Sequence, residues 1–221
     1  FIVVPLFLIV YYAFTHTGFN GAEFTLENFR RVFQPVYMKV LWRSVKLAVI
    51  STAVCLLVGY PAALIMAGNA FSRKNTIIML FVIPMWMNFL LRTYAWLTLL
   101  ERSGFVNQLL AKIGLPALNI LYTDSAVVLG MVYNFLPFMI LPIYSVLSKI
   151  DRGVLEAAAD LGANKVVTFS RVILPLSLPG VISGITMVFM PALTTFVISR
   201  LLGGGQYTLV GNLIEQQFLV V

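Results

Sequence analysis

Glu156 and Asp160 stand one helical turn apart in Leu155-Glu156-Ala157-Ala158-Ala159-Asp160-Leu161-Gly162, a charged island between two long apolar runs. Two carboxylates at this spacing share one face of a helix. They have no histidine, cysteine or serine motif beside them, so their chemistry is that of contact with a partner in water rather than of catalysis. Ala157, Ala158 and Ala159 leave room for that partner to come close. Asp151, just after Lys149-Ile150, is suited to cap a helix by accepting from the amides of its first turn. Val154, Leu155, Ala158 and Leu161 then make one narrow apolar face. Gly162 supplies the left-handed residue that ends such a helix. A second helical run over 164–171 leads to Val172-Ile173-Leu174-Pro175. The spacing predicts helix–turn–helix at a water interface.

Nothing else in the chain offers a reaction. There is no Gly-x-x-x-x-Gly-Lys-Ser/Thr phosphate loop, no His-Glu-x-x-His, no Cys-x-x-Cys and no Gly-x-Ser-x-Gly. The single cysteine, Cys55, reads as a small apolar residue within a span, and the single histidine, His16, makes no metal site. No catalytic residue, metal ligand or bound cofactor is expected.

The elements that carry the island are built for lipid. The 221 residues are 60% hydrophobic and 10% charged, where a soluble domain carries about a quarter charged residues. Runs 47–72, 125–148 and 172–199 hold no charged residue, and run 75–100 holds only Arg92. Each is long enough for a spanning helix, which needs about 20 residues. None shows the alternation of a membrane barrel. Residues 1–14 read as the outer part of a first span. The fold class expected is therefore all-α, a polytopic helical bundle with five spans visible, the first truncated, and a sixth after Val221. Run 172–199 is too long for one straight crossing, so it is expected to begin outside the bilayer or to bend at Pro175, Pro179 or Pro191.

With the island on the cytoplasmic side, loops 69–76 and 149–171 lie inside and loops 15–43, 101–124 and 199–221 outside. Six basic residues, Arg73 and Lys74 among them, fall in the short inside loops against seven in the longer outside ones, a weak positive-inside signal. The net charge of +7 suits a membrane surface. No basic stripe with interleaved aromatics suggests nucleic acid.

Glu-Ala-Ala, three residues, Gly, nine residues, Ile-x-Leu-Pro is the signature of the permease subunits of bacterial ABC importers. This chain has Glu156-Ala157-Ala158, Gly162 and Leu174-Pro175 at that spacing, with Val172 in place of Ile. It is similar to that family over nearly its whole length. Leu91-Arg92-Thr93-Tyr94-Ala95-Trp96, Leu136-Pro137-Phe138-Met139-Ile140-Leu141-Pro142 and Leu201-Leu202-Gly203-Gly204 resemble the spermidine/putrescine importers, the B-type permease in particular. Thr195 and Arg200 depart from it, standing where many such permeases carry Glu and Asp. The resemblance implies a single permease domain over 1–221 of the type I importer kind, in the bacterial cell membrane. Loop 149–171 would then hold the coupling helices, with Glu156, Ala157, Ala158, Asp160, Leu161 and Gly162 meeting an ATPase. It also implies a second permease subunit, an ATPase dimer that holds the ATP and Mg, and an extracytoplasmic solute-binding protein. Permeases for iron, thiamine, phosphate or sulfate share the coupling motif and are the alternative, and a secondary carrier is a further one.

A polycation needs carboxylates, carbonyls or aromatic faces to cross. The residues of this chain placed on such a path are Trp86, Asn88, Arg92, Tyr94, Trp96, Tyr133, Asn134, Phe138 and Thr195, of which Arg92 has the wrong sign for a cation. Carboxylates would come from a second permease subunit or from outer-loop acids such as Glu101 and Glu215. After Gly203-Gly204-Gly205, the spacing of Leu209, Val210, Leu213, Ile214, Phe218 and Leu219 predicts a short amphipathic helix.

Overall fold

The computed structural model describes residues 3–18, 21–68, 74–205 and 208–219. Residues 69–73 of the inside loop, Arg73 among them, lie outside the described residues. The chain forms two compact units, Phe1–Arg43 and Ser44–Val221.

The first unit holds α1 (Val3–Phe14), an antiparallel pair β1 (Thr15–Gly18) and β2 (Gly21–Phe24), and α2 (Glu27–Val32). Thr15 pairs with Phe24 and Gly18 with Gly21. This short hairpin is the one departure from the all-helical expectation among the described residues. Threonines favour the extended chain and the flanking glycines permit its reversal. Phe14 stacks on Phe24 at 5.7 Å, and Asn28 Nδ2 donates to the carbonyl of Ala13 at 3.2 Å.

The long helix α3 (Pro35–Ala67) contributes to both units. It starts well before the apolar run, because Pro35 at the first helical position is preset for helix. Leu47, Ala48, Ser51, Cys55, Gly59, Ala63 and Met66 are buried, a stripe at three- and four-residue spacing. The second unit then adds α4 (Lys74–Trp86), α5 (Phe89–Leu100), α6 (Phe105–Lys112) and α7 (Asp124–Leu147). Run 75–100 is thus two helices instead of one continuous helix. The cause lies at Asn88: its backbone leaves the helical region (φ −55°, ψ 130°), and its side chain accepts from Leu90 N at 2.8 Å to cap α5.

The core lies along α7, which buries Val127, Met131, Phe135, Met139, Ile140 and Ile143. Against it packs α10 (Leu174–Thr194) through Ser177, Gly180, Val181, Gly184 and Val188. Small residues let the two backbones approach, which is how helices associate where lipid is as apolar as leucine. Preceding α10 are α8 (Arg152–Asp160), α9 (Lys165–Thr168) and a π turn over Phe169–Ile173. Following it are α11 (Val197–Leu202) and α12 (Val210–Leu219), the short helix predicted after the glycines. Among the described residues, three helical segments are long and apolar enough to cross a membrane: Pro35–Ala67, Asp124–Leu147 and Lys165–Thr194. Helix α10 passes through Pro179 and Pro191 unbroken and spans about 32 Å at 1.5 Å per residue. The excess length of run 172–199 is taken up at its ends, where the π turn and then Thr195 interrupt the helix.

Candidate functional site

The island is a rigid pair of capped helices. Asp151 takes an extended conformation and its Oδ1 accepts from Gly153 N at 3.0 Å, starting α8. At the other end Gly162 has φ +80°. Gly162 N donates to the carbonyl of Ala159 at 2.9 Å and Ala163 N to that of Ala158 at 3.0 Å. Together these make a Schellman closure, which satisfies carbonyls that the helix end leaves open. Asn164 then caps α9, its Oδ1 accepting from Val167 N at 2.9 Å. One turn therefore joins two helices with both its ends fixed by local hydrogen bonds.

On α8 the seated side is smaller than the periodicity suggests. Ala158 is buried and Leu155 half-buried, but Val154 is exposed and Leu161 is 88% exposed. Leu161, the C-cap of α8, still donates from its N to Ala157 O at 3.1 Å, so it keeps its place on the helix and is left uncovered there. Glu156, Ala157, Ala159 and Asp160 are exposed with it. The result is a projecting surface of two carboxylates and two apolar side chains, Leu161 and Val166. Leu155 points the other way, into a cleft of about 270 Å³ lined by Leu64, Leu147, Ile150, Arg152 and Ile173. Leu64, Leu147 and Ile173 among these lie at the ends of α3 and α7 and in the π turn ahead of α10, the route that a push on α8 would take.

The π turn sits on this route. Pro175 has no N–H to offer the carbonyl of Arg171, and its ring crowds that carbonyl. The backbone widens ahead of it, and Leu174 N bonds Phe169 O five residues back. Phe169 meets Tyr60 of α3 edge-on at 5.9 Å, and the Tyr60 hydroxyl is 2.9 Å from Ser177 Oγ on α10. Ser177 donates to Leu174 O, so the Tyr60 hydroxyl donates to Ser177.

Of the residues suited to a substrate path, Trp96 and Tyr133 are brought together, edge to face at 5.3 Å across α5 and α7. Arg92, one turn from Trp96, is 9% exposed and its Nε has no hydrogen-bond partner among the described residues. Asn134 is buried and donates to Gly130 O at 2.9 Å, and its Oδ1 has no partner among the described residues. Phe138 and Tyr94 are exposed, and Trp86, at the end of α4, is 84% exposed. Asn88 is the cap of α5 described above. Thr195 ends α10, its N–H donating to Pro191 O at 2.9 Å.

At the far end of α10 a polar knot escaped the sequence reading. Asn212 Oδ1 accepts from Ser199 Oγ at 2.6 Å and Leu209 N at 3.2 Å, and its Nδ2 donates to Phe196 O at 3.1 Å. Val210 N donates to buried Ser44 Oγ at 2.9 Å. The signal available in sequence was a pair of polar residues, Ser199 and Asn212, inside otherwise apolar helical patterns. Gly204 and Gly205, at φ +64° and +68°, form the turn between them.

Residues 59–219 match the family described as binding-protein-dependent transport system inner membrane component. The chain is 42% identical, over its full length and 79% of the other protein, to the spermidine/putrescine transport system permease protein PotB of Haemophilus influenzae. It is 39% identical to the protein of that name in Escherichia coli, over 99% of this chain and 82% of that one. It is also similar, at 32% identity over 88% of this chain and 66% of the other, to the E. coli inner membrane ABC transporter permease protein YdcU.

Proposed function

The chain belongs to the family of binding-protein-dependent transport system inner membrane components, and from that premise we propose that it is the permease subunit of an ATP-driven spermidine/putrescine importer. It is a multi-pass protein of the bacterial inner membrane and a transport component rather than an enzyme. Its residues 1–221 act as one permease domain, in which loop 149–171 couples to an ATPase. A second permease, a pair of ATPase subunits carrying ATP and Mg, and an extracytoplasmic binding protein complete the machine.

The observation that carries this reading is the geometry of 151–162. A helix capped at both ends presents Glu156 and Asp160 outward and seats Ala158 and Leu155 inward. Such a helix transmits a push instead of absorbing it. Closure of the ATPase pair would move α8, and Leu155, which lines one cleft with Leu64, Leu147 and Ile173, would pass that motion toward α3, α7 and α10. The Trp96–Tyr133 pair supplies aromatic faces on which an ammonium can rest, with carboxylates from the second permease facing it.

Substrate class is tested by competition in cells carrying the whole system. Uptake of labelled spermidine is expected to fall with unlabelled spermidine or putrescine and to be untouched by thiamine or ferric salts. Inhibition by thiamine or iron without any effect of polyamines would assign the chain to another cargo.

A further inference from the structure

Arg200 Nη1 lies 3.0 Å from Glu215 Oε1, an ion pair joining α11 to α12. Its two members are unequally set. The Glu215 side chain is 22% exposed and that of Arg200 64%. The start of α12, the helix that carries Glu215, is fixed by the Asn212 knot and by the bond from Val210 N to Ser44. Gly211 rests against the carbonyl of Thr194 with no space for a Cβ. The backbone that carries the carboxylate is therefore held in place, while the guanidinium that pairs with it reaches in from water. Glu215 is also the only acid in the sequence after Asp160, and the long apolar runs contain none.

We propose that Glu215 is an exchange site for an ammonium group of the incoming substrate, with Arg200 as its resident counter-ion. This rests on the polyamine reading above. An exposed ion pair is weak because water and salt compete for both partners. Replacing one cation by another on the same carboxylate strands no bare charge, so the swap avoids the cost of breaking a pair outright. The displaced guanidinium is already largely in water. A primary ammonium is compact and carries three donors, which suits a carboxylate with little open surface. Arg200 also keeps the site shallow: a path must bind its cargo loosely enough to release it.

Two measurements separate this proposal from the reading beneath it. The first is uptake of labelled spermidine by the complete importer in proteoliposomes. The second is the Kd of spermidine for the purified permease–ATPase complex without the binding protein, by calorimetry. Glu215→Gln is expected to weaken binding about tenfold and Arg200→Gln to tighten it about threefold, with the double variant resembling Glu215→Gln. A mere structural clasp would lose the same ion pair in either single variant, so shifts in the same direction overturn the proposal. If Glu215→Gln does not assemble, Arg200→Gln decides alone, and binding no tighter than wild type overturns it. Wild-type uptake combined with an unchanged Kd in both variants sinks the exchange site only. Absence of wild-type uptake removes the polyamine reading and the proposal with it.

Discussion

Glu156→Lys is expected to cut ATP-driven uptake and substrate-stimulated ATP hydrolysis about a hundredfold or more while leaving the permease inserted and folded. Glu156 is exposed on α8, and lysine has a helix propensity close to that of glutamate, so the fold has no reason to respond. The interface does. Losing one member of a desolvated charge pair costs about 2–5 kcal/mol, and each 1.4 kcal/mol is a factor of ten. Reversal adds repulsion to that loss. Glu156→Ala should fall between wild type and Glu156→Lys. Co-purification of the ATPase and initial uptake rates check both variants, and normal assembly with normal uptake would remove α8 from the coupling role.

The second large effect is expected in the membrane. A Cβ on Gly180 would stand 2.9 Å from the carbonyl oxygen of Pro142 and 3.1 Å from Ile143 Cα. These are backbone atoms, and they yield only if α7 and α10 separate. A Cβ on Gly184 would stand 2.8 Å from Met139 Sδ and 3.1 Å from the Met139 carbonyl oxygen, of which only the thioether can swing aside. Gly180→Leu should therefore cost at least the 1–3 kcal/mol typical of overpacking, read as an unfolding midpoint roughly 5 °C lower in detergent. Ser183→Leu, on the exposed side of the same helix, should leave the midpoint in place. Equal shifts in the two variants would mean that the close approach of α7 and α10 does not govern stability.

What could be read from the sequence was what local chemistry decides. The cap at Asp151, the left-handed Gly162 and the short helix after Gly205 each depend on a few neighbouring residues, and each is in place. The apolar runs marked where helices lie but not where they break. Hydropathy counts carbon, whereas the end of α4 is set by Asn88 bonding Leu90 N, a backbone event that an apolar window does not register. Leu161 is a different case: periodicity says which face of a helix a residue lies on, not whether another element covers it there. The π turn before Pro175 shifts helical phase in a way no residue pattern announces. The sequence offered Trp96 and Tyr133 as separate aromatic residues, but their contact depends on how α5 meets α7. The Ser199–Asn212–Ser44 knot is likewise tertiary, bringing together residues from α3, α11 and α12.

The central claim is that this permease moves a polyamine only when an ATPase works through α8. It is tested most directly by spermidine uptake into proteoliposomes holding the permease pair and its ATPase, with binding protein inside or outside and ATP supplied or withheld. Accumulation against the gradient is predicted only with ATP on the ATPase side and binding protein on the other, and none with Glu156→Lys. Spermidine uptake that proceeds without ATP, or that survives Glu156→Lys undiminished, would contradict it.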